Sequence, residues 1–424
     1  MISNFSKSET TADSALLDDI VCEEQGTIDA KCWEGTFREI GHDLSTIQAL
    51  ERQTILRLEI DRERVRIHGR DRVGTLLLPS GRRCVIRTKI PGVVILEWLA
   101  YLGEFPELKN WTRGGNITSA ATFQNVVAQL FLRELDLVTR VHLRKGFMSF
   151  AETSQKVKGR ILSGRLAQKP WHLPAVPQLV RGRSLNTASN KLLALALDKL
   201  QLCTPEFSPD QRQLFQRLRS EWHSISRERE EQSAVLQTSM DAIPDGYRNA
   251  TQIARLILLG ATLDPIGGMG GHTFTISLSQ IWEHGLTQMC RDLEAQTHWM
   301  VEPRWKCQRL WDDSVGPDDP NRRLIADIIL RRGNDRWVLD AKYKSSYGNE
   351  SRNDRFQMCA YAIAFAARRA TLVYPVAAES IPAHRALLRT PTGQQNVVID
   401  SASIAMAAGP AAASTQLKDV LLRH

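Results

Sequence analysis

No lysine in this 424-residue chain follows a glycine. A Walker phosphate loop needs that Gly-Lys step, so the chain carries no P-loop of its own. Cysteine is sparse as well: the seven residues stand apart at 22, 32, 84, 203, 290, 307 and 359, with no Cys-x-x-Cys pair. That argues against a zinc knuckle or a disulfide framework and points to a reducing cytoplasm. The His residues show no zinc spacing, and no Ser-His-Asp or Cys-His set can be assigned from spacing. No apolar run reaches the ~20 residues of a membrane span, since "GVVILEWLAYLG" is interrupted by Glu97. The start, "MISNFSKSETTADS", lacks the apolar stretch of a signal peptide, and residues 1–18 read as a disordered leader. Internal repeats are absent.

What is present is a basic, globular composition. Hydrophobic residues make up 42%, the net charge is +8 and the pI about 9.2. The length accommodates two or three domains, and the charge suits a polyanion partner such as DNA. Residues 19–160 read as an α+β N-terminal unit. Within it, 54–90 alternates apolar and polar residues with turn signals at Gly69 and Pro79-Ser80-Gly81, which predicts several short strands. Residues 51–89 hold eleven Lys or Arg against five Asp or Glu. Arg62, Arg64 and Arg66 are expected on one strand face, either a solvated sheet surface or a docking surface for a protein or DNA partner. Helical periodicity marks 93–103 and 119–138, and "FMSFAETSQKVKGRIL" reads as strand, turn, strand. Residues 161–272 read as a mainly helical middle region. The Gly-rich "PIGGMGGHTF" reads as a loop, with a phosphate cradle as the alternative, before a last α/β unit over 273–424. The tail "MAAGPAAAST" is expected to be a flexible lead into a terminal helix.

An acidic-x-Lys triplet occurs three times: Asp29-Ala30-Lys31, Glu107-Leu108-Lys109 and Asp340-Ala341-Lys342. Only the third has telling neighbours. "RLIADIILRR" and "RWVLDAKYK" are β-rich runs joined by Gly333-Asn334, a favoured two-residue hairpin loop. That loop pairs Arg332 with Asp335 and sets Asp327 opposite Asp340, with Lys342 two residues on and on the same face. A loop at Asn334-Asp335 would instead set Asp327 opposite Lys342, and all three would still share a face. Two opposed carboxylates repel, and each raises the other's pKa. A divalent cation such as Mg²⁺ between Asp327 and Asp340 relieves this, with the Ala341 carbonyl as a further ligand. Such a site supplies an activated water and neutralises phosphodiester charge. Lys342 would orient the water or stabilise the transition state. Downstream, Gln357 and Tyr361 lie four apart on one helix face beside the sheet, either as site residues that hydrogen-bond the metal-bound water or the DNA backbone, or as a polar helix face with an ordinary core Tyr. Upstream, "SLSQIWEHGLTQMCRDLEA" is an amphipathic helix with Glu283 at the edge of its apolar stripe, either a further ligand or a solvated side chain. His284 reads as a surface residue.

These residues resemble a known signature. Ala326-Asp327 with Asp340-Ala341-Lys342 resembles the PD-(D/E)XK nuclease motif, with Ala326 where that motif usually has Pro. "LDAKYK", then "DRFQMCAYA" and "ATLVYP", looks like the McrC family. "VIRTKIPG", "KVKGRI", "SLNTASNKLL" and "SQIWEHGL" agree in order. The resemblance spans about residues 80–375. It implies a mixed sheet flanked by helices, a Mg²⁺-dependent DNA endonuclease, and a partner: McrB, an AAA+ GTPase ring that recognises modified double-stranded DNA. McrC-type subunits insert their N-terminal part into that ring and stimulate it. On that basis Arg62, Arg64 and Arg66 become candidates for partner binding, and GTP is expected on the partner. Double-strand cleavage needs two sites, which implies a second copy of the chain in the assembly. A non-catalytic activator of the motor and a stand-alone repair nuclease are the rival readings.

Overall fold

The computed structural model of the protein describes residues 18–24, 30–103, 122–141, 143–168, 174–203, 207–226, 243–259, 273–302, 324–343, 351–376, 385–389 and 396–422. The leader up to residue 17, Asp29, the Glu107–Lys109 triplet and the Gly-rich run up to residue 272 lie outside them. Sixteen strands are described. They are β1 (Ile20–Glu23), β2 (Trp33–Thr36), β3 (Leu56–Asp61), β4 (Arg64–Gly69), β5 (Arg72–Leu77), β6 (Arg83–Arg87), β7 (Gly146–Ser154), β8 (Arg160–Ile161), β9 (Val176–Ser184), β10 (Thr273–Ser277), β11 (Met300–Glu302), β12 (Ile328–Arg332), β13 (Asp335–Ala341), β14 (Arg369–Val376), β15 (Arg385–Arg389) and β16 (Asn396–Ala405). They form four sheets, in the orders β1-β6-β5-β10, β2-β4-β3, β7-β9-β8 and β11-β12-β13-β14-β16-β15.

The alternating 54–90 segment folds as β3 to β6, as its pattern predicts. Its hairpin turn corrects one detail. Asp61 pairs with Arg64, so Arg62 and Glu63 form the two-residue turn, and Arg62 has a positive φ of 54°. Arg62 is therefore not on the strand face that carries Arg64 and Arg66. Nor is that face bare: Arg66 meets Glu34 at 2.8 Å and Arg57 meets Glu59 at 2.8 Å. Carboxylates on the same face, Glu34 and Glu59, balance Arg66 and Arg57 there, which favours the solvated-surface reading.

Strand pairing bridges the expected unit boundaries at 160/161 and 272/273. The first falls inside β8, whose neighbour β9 also pairs with β7, and β10 joins the N-terminal sheet through β5. Distant segments close these sheets, and sequence order does not reveal that. The helices Gly92–Tyr101, Phe123–Arg140, Ala188–Cys203, Pro209–Glu221 and Asp245–Leu259 match the helical periodicity. "MAAGPAAAST" is not a flexible lead: Pro410 opens a helix running to Leu422, and Ala413 is buried in the core. Pro fits that position because its missing N–H would have had no helical partner.

The six-stranded sheet holds the candidate site. β11, β12 and β13 are antiparallel neighbours, while β13, β14 and β16 run parallel. Strand alternation divides its side chains. Ile329, Val338, Ala370, Leu372 and Tyr374 pack with Met358, Tyr361 and Ala362 of the helix Arg352–Ala364. Ile328, Leu330, Trp337, Leu339 and Val373 face the other way, into a core shared with Ile281, Trp282 and Leu286 of the helix Leu278–Asp292. That core continues into the N-terminal helices. The Trp282 indole donates to the Val373 carbonyl at 3.2 Å, and the Trp98 indole to the Met406 carbonyl at 3.0 Å. Each large side chain so buried contributes roughly 1.5–3 kcal/mol. Among the described residues, no helix is long and apolar enough to cross a membrane. Cys22, Cys32, Cys84, Cys290 and Cys359 are free thiols.

Candidate active site

The hairpin forms with the first of the two expected registers. Arg332 pairs with Asp335 and Ile328 with Leu339, around the loop Gly333-Asn334. Gly333 has φ 61°, which a residue without a Cβ adopts at no steric cost. Counting one step further sets Asp327 opposite Asp340. Asp327 lies just before β12 begins, and its Oδ2 accepts from the Ala341 N–H at 2.8 Å. The backbone of one arm thereby aims the carboxylate of the other.

Asp340 points to the face covered by the helix Arg352–Ala364 and is 1% exposed. Burial, then the negative charge of Asp327, pushes its carboxyl up to about 6 from the usual 3.8; the Lys342 ammonium pulls the other way. The Lys342 Nζ stands 2.7 Å from Asp340 Oδ2 and donates to Gln357 Oε1 at 2.9 Å. Gln357 Nε2 in turn donates to the Tyr361 hydroxyl at 2.7 Å, and that hydroxyl donates to the Ile325 carbonyl at 2.7 Å. Burial pushes the Tyr361 phenol up to about 12, so it stays protonated and keeps its donor role. A continuous chain of polar contacts thus runs from Asp340 through Lys342, Gln357 and Tyr361 to the backbone two residues before Asp327. The Gln357 and Tyr361 pair that helical spacing predicts is what positions the lysine.

Two further placements differ from the sequence reading. Glu283 sits on the helix Leu278–Asp292, against the opposite face of the sheet from Asp340 and Lys342. Among the described residues, no three or more His, Cys, Asp or Glu side chains gather at metal-binding distance, so Glu283 does not complete a carboxylate triad with Asp327 and Asp340. Asp354, which the sequence reading passed over, is 5% exposed in the first turn of the helix Arg352–Ala364, and its charge also raises Asp340. Its position one turn before Gln357, on the same helix face, was the available signal. Ser351 caps this helix by accepting from the Asp354 N–H at 3.1 Å.

The site lies at the carboxyl end of β13, where β13 leads through the helix Arg352–Ala364 to its parallel neighbour β14. In parallel sheets that end is where ligands bind. The donor set fits a hard divalent cation. It offers two opposed carboxylates, one of them buried and raised, beside the Ala341 carbonyl, and a cation offsets both the burial and the repulsion. Of the other acidic-x-Lys copies, Lys31 is exposed, and its N–H donates to Glu23 Oε2 at 3.3 Å. The residue after Lys342 ties this end of the strand to the N-terminal unit: the Tyr343 hydroxyl donates to Glu24 Oε1 at 3.3 Å.

The chain is similar to known proteins. Residues 67–375 match the family described as McrBC 5-methylcytosine restriction system component. No curated protein matches the chain. Among solved structures, a chain of the half-complex from the tetradecameric assembly of Thermococcus gammatolerans McrB AAA+ hexamers with bound McrC is similar in fold. Its TM-score is 0.58 at 12% identity, over 95% of this chain and 100% of that one. A chain of the Thermococcus gammatolerans McrBC complex matches with a TM-score of 0.39 at 14% identity, over 67% of this chain and 89% of that one.

Proposed function

The chain belongs to the McrBC 5-methylcytosine restriction system component family, and from that premise we propose that it is the McrC-type nuclease subunit, a Mg²⁺-dependent DNA endonuclease of PD-(D/E)XK type. The observation that carries this reading is the pairing of Asp327 and Asp340 across one hairpin, with the Lys342 ammonium 2.7 Å from Asp340. Asp327, Asp340 and the Ala341 carbonyl are the groups that would hold the cation. When bound, the cation supplies a water of lowered pKa and neutralises charge on the phosphodiester. The remaining work falls to the chain itself. Lys342, fixed by Gln357 and through it by Tyr361, presents its ammonium where negative charge develops on the phosphorus oxygens. The Ala341 N–H, donating to Asp327 Oδ2, fixes that carboxylate beside Asp340. The covering helix keeps bulk water from one side of Asp340.

The partner in this reading is an AAA+ ring like the McrB of the similar assembly, with GTP bound on that ring, because no Gly-Lys step for a phosphate loop exists in this chain. Double-stranded, modified DNA is the substrate. Two copies of the chain in one assembly supply the two cuts.

The test is cleavage of modified duplex DNA by the chain together with its AAA+ partner, GTP and Mg²⁺, with Asp340→Ala alongside. The wild type is expected to cut and the variant to bind the partner without cutting. Equal cutting by both would remove Asp340 from the site. Stimulated GTP turnover without cutting by either would make the chain a non-catalytic activator. Cutting by the chain alone would make it a stand-alone nuclease.

A further inference from the structure

One segment of this protein is almost free of acidic residues. Residues 143–184 hold nine Lys or Arg against one acidic residue, Glu152. That excess of eight equals the net charge of the whole chain, so the remaining residues carry forty-six of each sign. Its described residues include the three-stranded sheet β7-β9-β8, a basic ribbon.

Register sorts its side chains. Phe147 pairs with Arg183, Ser149 with Arg181 and Ala151 with Leu179, which also pairs with Arg160 of β8. Because opposed residues share a face, Phe147, Arg160, Arg181 and Arg183 lie on one surface. All four are exposed, Phe147 to 62%. Glu152, opposite Gln178, lies on the other surface. Among the described residues, no carboxylate stands on the arginine face, and Arg160, Arg181 and Arg183 have no ion-pair partner. This differs from the β3-β4 hairpin, where Glu34 and Glu59 answer the arginines. Arg181 and Arg183 instead lie over the Phe147 ring, at 5.4 and 5.7 Å from its centroid. Stacking on the ring uses the guanidinium faces, and in these exposed arginines it leaves N–H groups for an anion.

The adjoining loop is built in the same sense. Gln178 is fully buried, and its amide satisfies three backbone groups of the loop. Its Oε1 accepts from the Lys158 N–H at 2.6 Å and the Gly159 N–H at 2.9 Å, and its Nε2 donates to the Lys156 carbonyl at 2.7 Å. Gly159 passes so close to β9 that a Cβ there would stand 2.1 Å from the Leu179 carbonyl oxygen. The chain is thereby pinned where Lys156 and Lys158 stand exposed next to Arg160. Rigid presentation of uncompensated charge lowers the ordering cost of binding a polyanion.

We propose that the β7-β9-β8 sheet and its 156–159 loop are a docking surface for the phosphate backbone of double-stranded DNA, engaged through Arg160, Arg181, Arg183, Lys156 and Lys158. A surface of one sign matches a ligand of uniform opposite sign, whereas protein surfaces mix signs. Arg and Lys contacts of this kind position a duplex without reading its sequence, which suits a subunit whose partner does the reading. The choice of DNA rests on the nuclease reading given above.

The test uses the full chain and a fluorescein-labelled duplex, with anisotropy read across a range of KCl concentrations. Each phosphate contact adds about 0.9 to the slope of log affinity against log salt. The variant Arg160→Gln/Arg181→Gln/Arg183→Gln is expected to lower that slope by about 2–3 and to weaken binding, and Lys156→Gln/Lys158→Gln by about 1–2. The control, Arg57→Gln/Arg64→Gln/Arg66→Gln on the compensated hairpin, removes the same charge and is expected to change the slope by less than about one. Equal losses in ribbon and control variants would show a bulk-charge effect and overturn the proposal, as would an unchanged slope in both ribbon variants. Loss of AAA+ partner association with DNA binding intact would assign the surface to an acidic protein instead and overturn it as well. Asp340→Asn separates the two readings. If neither it nor wild type cleaves while the ribbon variants still lose the slope, the nuclease reading fails and the docking surface stands.

Discussion

Replacing Asp340 by Asn should make the protein more stable at neutral to alkaline pH when divalent cations are removed. The carboxyl is pushed from 3.8 to about 6 by burial and by the facing Asp327. It therefore ionises less readily in the folded chain than in the unfolded one. Below the unfolded value both states hold the proton, and no stability is lost. As pH rises towards 6 the unfolded state ionises first, and stability falls until the folded carboxyl has ionised too. The rise from 3.8 to about 6 corresponds to a loss of about 3 kcal/mol above that range. Asn keeps the shape of the neutral acid and cannot ionise, so it avoids the loss. Urea unfolding in EDTA, followed by the fluorescence of buried tryptophans such as Trp337 on β13, provides the assay. The variant should be about 3 kcal/mol more stable near pH 8, and the gain should vanish near pH 3.5. Added Mg²⁺ should close the gap by stabilising the wild type alone. No gain near pH 8, or an equal gain at both pH values, would refute the electrostatic account of the site.

Other outcomes follow from the same contacts. Lys342→Met should lower the cleavage rate by about a hundredfold or more, because the ammonium acts on developing charge, while Mg²⁺ binding measured by calorimetry persists. Tyr361→Phe removes the hydroxyl that joins Gln357 to the Ile325 carbonyl. It should cost about 1–2 kcal/mol in urea unfolding and should slow cleavage by releasing Gln357 from its place beside Lys342. Protons compete with the cation for Asp340, so the Mg²⁺ concentration needed for half-maximal cleavage should rise steeply as pH falls below about 6. Asp354→Asn removes a charge that raises Asp340. It should shift that pH dependence to lower pH, a movement that a purely structural role for Asp354 would not produce.

The hairpin was the part of the site most legible in the sequence. Gly333-Asn334 fixes the loop, the loop fixes the register, and the register sets Asp327 opposite Asp340. The Gln357 and Tyr361 pair was legible for a similar reason, since helical spacing is rigid over one turn. Sheet membership was less so. That β10 would leave the last third of the chain to pair with β5, or that β9 would bridge β7 and β8, depends on contacts between distant segments, which local periodicity does not encode. Arg62 was misplaced because a positive φ at a non-glycine residue gives no pattern signal. Asp354 was passed over because an acidic residue in a first helical turn is commonplace, and only burial sets this one apart.

The central claim is that Asp327 and Asp340 hold one divalent cation between them. Anomalous scattering from crystals soaked in Mn²⁺ measures this most directly. The account predicts a peak within about 2.5 Å of an oxygen from each of the two carboxylates. A peak at other acidic side chains with none between these two, or no peak at all in crystals that retain the hairpin, would contradict it.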